Sequence, residues 1–281
     1  MTDRRSRLSG KRRIVIKIGS SSLTHRYTGK LNLNKFEKLA RLITDLSNQG
    51  MEVVLVSSGA GAAGRITLGY TEKPADVPTF QALAAVGQAK LMLTYQKAFA
   101  EYDQVIAQIL MTKATILNSE SRRNARNTFD QLFRMGVVPI VNENDTVATH
   151  EIEFGDNDRL SAIVAAVIDA DLLILLSDID GMYEDDPRKD PEAIMIREVS
   201  DITDEVVQMG KLSTGSRVGT GGMSSKLAAA KMATAAGIDM VITNGNDVDN
   251  VYHILDGEDV GTLFLAHMDP DFDLVKYIEE Y

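Results

Sequence analysis

The chain has 281 residues, of which 40 are acidic and 30 basic, giving a formal net charge of -10, and it contains no cysteine. The acidic balance disfavours general affinity for nucleic acid or an anionic membrane, and the missing thiols exclude disulfides, cysteine-ligated zinc and thiol nucleophiles. The length suffices for one large α/β domain or two lobes, and any anionic substrate has to be met by locally placed lysines and backbone N–H groups.

In chain order, the basic opening MTDRRSRLSGKRR reads as a short disordered terminus rather than a leader, because the apolar run behind it is brief and carries Lys17. Apolar, β-branched runs follow as candidate strands: RIVIKI, EVVLVS, QVIAQILM, VVPIVN, DLLILLS, DMVIT and GTLFLA. Helical stretches are expected over residues 33–48, 79–100, 121–135, 158–169 and 222–236, and Gly50, Gly136 and Gly237 mark three helix ends ahead of strands. This alternation predicts a largely parallel sheet covered by helices. No internal repeat or low-complexity linker divides the chain, and EDDPRKDPEA, from Glu184 to Ala193, is the most loop-like interior piece, a surface excursion or a flap. The longest apolar stretch, LSAIVAAVIDADLLILL, is interrupted by Asp169 and Asp171 and does not reach membrane-spanning length.

Ligands in open α/β sheets collect at the carboxyl ends of strands, and four polar clusters lie there. The first is VIKIGSSSL: Lys17 inside an apolar strand is costly unless its ammonium reaches an anion, and the turn Gly19 to Ser22 offers amides to phosphate. An edge strand with the lysine facing solvent is the structural alternative. The second is VVLVSSGAGAAGR, where Gly59, Gly61 and Gly64 have the spacing G-x-G-x-x-G. Neither the strand position nor a downstream acidic residue suits a dinucleotide fold, so Ser58, Gly59 and Ala60 read as a turn whose amides suit a small anion, or as a turn chosen for helix packing.

In the third cluster, VPIVNENDTV followed by FGDNDRLSA, helix capping alone accounts for GDND. Asn142, Asp145 and Asn157 also suit the ammonium and carboxylate of an amino acid, with Asp158 placed to hold a lysine. The fourth is VGTGGMSSKLAAAK: a glycine loop leads into a helix start bearing Ser224, Ser225 and Lys226, and a lysine at the positive end of a helix dipole points to an anionic partner unless the loop is only glycine-rich by chance.

The segments VIKIGSS, VSSGA, AAVGQ, VPIVNENDTVA, GDNDRLSA, DPR and GTGGMSSKLAAA, in this order and spacing, resemble the glutamate 5-kinases of the amino acid kinase family over about residues 13–266. The resemblance implies a three-layer αβα sandwich with a mainly parallel central sheet, the kinase domain spanning residues 11–266. An amino-acid-binding half is expected over about 11–170 and an ATP-binding half over about 171–266. It implies ATP-dependent phosphorylation of the γ-carboxylate of L-glutamate, the first step of proline biosynthesis, with Mg2+ as the accompanying ion and no metal ligand named on the protein.

Lys17 and Lys226 match the phosphate-binding lysines and Asp158 the aspartate that organises them. Ser58, Gly59, Ala60, Asn142, Asp145 and Asn157 match the glutamate contacts. Gly19, Ser177 and Asp178, with Thr220, Gly221, Gly222, Met223, Ser224, Ser225 and Lys226, match nucleotide contacts. By the same resemblance the protein is expected to be cytoplasmic and a homodimer or homotetramer, with proline as a feedback inhibitor and hand-off of product to glutamyl phosphate reductase. No membrane or nucleic-acid partner is expected. Residues 267–281 are read as a tail where many relatives continue into a PUA domain. The acidic groups of VNENDTVA and GDND favour free glutamate, which has an ammonium to pair with them, over acetylated or phosphate substrates.

Overall fold

The computed structural model describes residues 4–147, 157–187, 189–212 and 222–280, arranged as two compact units. The first comprises Met1–Lys17 and Asp158–Tyr281, the second Ile18–Asn157.

A 3-10 helix, Arg4–Gly10, and strand β1, Arg13–Ile18, open the first unit. The opening is therefore not the disordered terminus expected from its charge. Leu8 is fully buried, and the buried Arg5 guanidinium donates to the carbonyls of Arg197 at 2.8 Å, Val260 at 2.8 Å and Gly261 at 2.9 Å. Arg7 and Lys11 both reach the buried Asp239 carboxylate, at 3.0 and 2.7 Å. Burial of the Arg5 guanidinium is tolerated because acceptors remote in sequence meet its N–H groups.

The second unit runs α1 Ser20–Leu23, α2 Leu33–Asn48, β2 Glu52–Ser57, α3 Ala60–Thr67, α4 Val77–Ala100, β3 Ile106–Met111, α5 Lys113–Leu117, α6 Ser119–Arg134 and β4 Val138–Glu143. Phe36, Leu39, Leu42, Ile43 and Leu46 recur at helical spacing and form the buried face of α2, whose start is capped by the Asn32 side chain. Strands β3, β4 and β2 lie side by side in that order and are all parallel, Leu55 opposite Ile140 and Ile109 opposite Val141.

The chain returns to the first unit through α7 Asn157–Val167, β5 Leu172–Ser177, β6 Met182–Tyr183, β7 Met195–Ile196, β8 Glu198–Val199, α8 Asp204–Leu212, α9 Met223–Ala235, β9 Asp239–Asn244, α10 Asn250–Leu255, β10 Thr262–Phe264 and α11 Leu274–Glu280. Its strands are ordered β1-β5-β9-β10-β8. β5 and β9 are parallel, whereas β10, the GTLFLA run, is antiparallel to β9 and β8 runs parallel to β10, so these two strands depart from the expected parallel pattern. The loop-like Glu184 to Ala193 is the excursion between β6 and β7, a short antiparallel pair in which Met182 faces Ile196.

Strands β2, β4, β5 and β9 are buried at successive positions, as strands covered by helices on both faces must be. This is the three-layer α/β architecture with a mainly parallel sheet that the sequence implies. Gly50, Gly136 and Gly237 sit at positive φ at the ends of α2, α6 and α9, as expected.

The G-x-G-x-x-G glycines serve the turn after β2 and close packing behind it. Gly59 has φ +103° and turns the chain from β2 into α3, a conformation few side chains tolerate. A Cβ on Gly64 would lie 1.7 Å from the Leu83 carbonyl oxygen, and one on Gly87 would lie 1.7 Å from that of Ala60. Backbone atoms cannot swing aside as a side chain can, so Gly87→Ala must push α3 and α4 apart. It is expected to destabilise the protein by about 2–3 kcal/mol. In a thermal melt this reads as a fall in Tm of about 5–10 °C, and a Tm within about one degree of the parent would contradict the close crossing.

Candidate functional site

Two polar clusters form at strand ends, one in each unit. In the second unit, the side chain of Asn142 is buried at the end of β4 and Ser57 is buried at the end of β2. Asn157, at the start of α7, turns its Nδ2 group onto the Ser57 carbonyl at 2.6 Å, the Asn142 Oδ1 at 2.8 Å and the Ser58 Oγ at 2.9 Å. Asn142 in turn donates through its Nδ2 to the Gln88 Oε1 at 2.8 Å. The Ser57 hydroxyl meets the Tyr95 hydroxyl at 2.8 Å, and the Tyr95 ring packs on Phe36 with centroids 4.6 Å apart. Burial pushes the Tyr95 phenol well above its usual range against a smaller opposing effect of the Ser57 hydrogen bond, so it is a neutral hydroxyl at any working pH.

Gly59 and Ala60 form the turn and first residue of α3, and Asp145 sits half-buried in the turn after β4, following Asn144, whose N–H bonds the Met111 carbonyl at 2.8 Å. Thus Ser58, Asn142 and Asn157 are brought into one hydrogen-bonded group. Gln88, Ser57 and Tyr95 join it without having been singled out in the sequence. AAVGQ contains Gln88, but a half-buried glutamine on a long helix carries no signal of its own until its partner is known.

In the first unit, a carboxylate bridges two ammonium groups. Asp158 is fully buried in α7; its Oδ1 lies 2.5 Å from the Lys17 Nζ and its Oδ2 2.9 Å from the Lys226 Nζ. Lys17, near the end of β1, is 8% exposed and Lys226, in the first turns of α9, is 5% exposed, so the reading of Lys17 as a solvent-facing edge residue fails. Burial alone would push the Asp158 carboxyl up, but Lys17 and then Lys226 outweigh it and hold the group well below the usual carboxylate range. The result is a rigid pair of cations aligned by one fixed anion.

Gly222 caps α9 without a side-chain bond, Met223 is buried and Ser224 exposed. The Ser225 hydroxyl donates to the Gly222 carbonyl at 2.9 Å and lies 3.3 Å from the Asp158 Oδ2. Ser177 ends β5, with its hydroxyl 3.2 Å from the exposed Asp178 carboxylate, and its carbonyl accepts from Gly245 N–H at 2.7 Å. Gly19 precedes α1 and accepts from Ser22 N–H at 3.2 Å. Thr220 and Gly221 of the glycine loop, and Gly155 and Asp156 of GDND, lie outside the described residues.

Residues 12–244 match the model of the amino acid kinase family. A glutamate 5-kinase of Carboxydothermus hydrogenoformans is 53% identical over 92% of this chain and 68% of its own length. Another, of Clostridium perfringens, is 48% identical over 93% of this chain and 98% of its own. Among solved structures, a UMP kinase from Bacillus anthracis superposes with a TM-score of 0.63 at 18% identity, covering 92% of this chain and 97% of that one. That likeness carries the fold, and the sequence matches carry the family. The chain belongs to the amino acid kinase family.

Proposed function

We propose that the protein catalyses ATP-dependent phosphorylation of the γ-carboxylate of L-glutamate to L-glutamyl 5-phosphate, the first step of proline biosynthesis. The observation that carries this reading is the Lys17–Asp158–Lys226 bridge, two buried cations to one anion, in a chain of this family.

The reaction needs little from a general base. A glutamate side chain, with an ordinary pKa of about 4.3, is already a carboxylate at neutral pH. One of its oxygens attacks the γ-phosphorus, the bond from that phosphorus to the bridging oxygen breaks, and ADP leaves with the electron pair. The obstacle is the approach of one anion to another, and fixed positive charge lowers it. Lys17 and the Gly19 amide hold the γ-phosphoryl oxygens, Lys226 offsets the charge growing on the leaving oxygen, and Asp158 keeps both ammonium groups in place. Ser177, Asp178 and residues Thr220 to Ser225 hold the rest of the nucleotide.

Glutamate is held by Ser58, the turn at Gly59 and Ala60, Asn142, Asp145 and Asn157.

Among the described residues no group of three or more acidic or imidazole side chains could hold a metal, and both Asp158 oxygens face ammonium groups. By the resemblance, a Mg2+ ion would accompany ATP and neutralise phosphate charge.

On the resemblance alone, we extend the proposal to a homodimer or homotetramer, to cytoplasmic residence, to inhibition by proline at or near the glutamate site and to hand-off of product to glutamyl phosphate reductase. No helix among the described residues is long and apolar enough to cross a membrane. The deciding assay supplies ATP with glutamate, aspartate, N-acetylglutamate or UMP and traps the acyl phosphate with hydroxylamine. Hydroxamate with glutamate alone is expected, and ATP turnover without hydroxamate would sink the proposal.

A further inference from the structure

We infer that Gln88 is a positioning residue of the glutamate site, acting through Asn142. The inference rests on the assignment of Ser58, Asn142 and Asn157 to glutamate.

An asparagine side chain can present either its oxygen or its nitrogen in a given direction, and only its partners decide which. At Asn142 the Oδ1 accepts from Asn157 Nδ2 at 2.8 Å and from the Glu143 N–H at 2.9 Å, while the Nδ2 donates to Gln88 Oε1 at 2.8 Å. Asn142 is only 3% exposed, so its N–H groups have little recourse to water, and Gln88 supplies the acceptor that matches the amide orientation Asn157 requires.

The chain continues outward. Asn157 Nδ2 carries two hydrogens but has three acceptors within reach: the Ser57 carbonyl, Ser58 Oγ and Asn142 Oδ1. With Asn142 held by Gln88, its oxygen stays a committed acceptor, and the Ser58 hydroxyl can turn its own O–H toward a bound carboxylate. If the Asn142 amide turned over, its N–H groups would face those of Asn157 and the arrangement around Ser58 would be lost.

The fold locks Gln88 into register. Its neighbour Gly87 is where α4 approaches the backbone of α3, with the Ala60 carbonyl oxygen 1.7 Å from a hypothetical Cβ, so α4 cannot slide or rotate there without a clash. Gln88 is therefore delivered next to the Ser58-Gly59-Ala60 turn by the close crossing of α3 and α4.

The test compares Gln88→Met with Gln88→Asn, which keeps the amide but draws it back by one methylene and preserves the polarity the fold needs. Both are expected to raise the glutamate KM about tenfold, with kcat and the ATP KM within about twofold, and Gln88→Met, which leaves the buried Asn142 N–H without its acceptor, is expected to lower Tm by about 2–6 °C. Combined with Asn142→Ala, Gln88→Met is expected to add nothing further to the glutamate KM, because the residue acts through Asn142. Additive effects in that cycle, or a parallel fall in kcat and rise in the ATP KM, would overturn the inference in favour of a merely structural role. Asn157→Ala separates the two layers. If it raises the glutamate KM while the Gln88 variants do not, the site assignment stands and the role of Gln88 falls; if it leaves that KM unchanged, the assignment itself is wrong.

Discussion

Replacing Asp158 with asparagine is expected to be the most damaging single change, lowering stability by about 3–5 kcal/mol and abolishing most turnover. The carboxylate is fully buried, and its two oxygens each hold one ammonium, at 2.5 and 2.9 Å. An amide in its place accepts through one oxygen only and turns an N–H group toward the other lysine. Two cations would then lie buried beside one another without the charge that reconciles them. For a chain of this size the loss corresponds to a fall in Tm of about 6–20 °C.

The sign of the pH dependence follows from the depressed pKa of Asp158, which Lys17 and Lys226 impose against the opposing effect of burial. A carboxyl whose folded pKa lies below its unfolded value, about 3.9, adds stability that is fully present above that unfolded value and is lost as pH falls through the folded one. The difference between parent and Asp158→Asn should therefore be flat from about pH 5 to pH 8 and shrink only below about pH 4. Urea denaturation across that range measures it. A stability difference under about 1 kcal/mol at neutral pH, or one that disappears between pH 5 and 7, would mean that the buried bridge does not act as described.

Lys226→Met is expected to lower kcat by roughly a hundred- to a thousandfold, the scale of losing one preorganised donor to developing charge, with the glutamate KM little changed. Its effect should separate from that of Asp158→Asn because the mutation removes a cation and leaves the Lys17–Asp158 pair intact. The unbranched methionine side chain fills much of the volume that the 5% exposed lysine stem occupied, so the fold should survive. An ADP-release assay at saturating substrates reads this directly. Near-normal kcat would take Lys226 out of the mechanism, whatever its proximity to Asp158.

The site was legible in residue type but not in its connections. Lys17 and Lys226 are conspicuous because a lysine in an apolar strand or at a helix start is locally unfavourable, and such conflicts draw attention to an anion. Gln88 and Tyr95 conflict with nothing around them in sequence, and only the hydrogen bonds to Asn142 and Ser57 reveal what they do. The same reasoning explains the opening segment. Arg4, Arg5 and Arg7 read as a solvated charge run, yet the Arg5 guanidinium is occupied by carbonyls more than 190 residues away. Its burial depends on backbone groups that have no side-chain signature.

What the sequence by itself determined is the kind of architecture and the family: β-branched runs alternating with amphipathic stretches such as residues 33–48, glycines at helix ends, and an ordered set of motifs. These depend on local periodicity and residue chemistry, which are readable a few positions at a time. Tertiary structure alone decided that β10 runs antiparallel to β9, that Gly64 and Gly87 mark a close crossing of α3 and α4, and that Arg7 and Lys11 share the buried Asp239 carboxylate. Strand direction, helix approach and charge pairing are set by which remote groups become neighbours, and that follows from packing the whole chain.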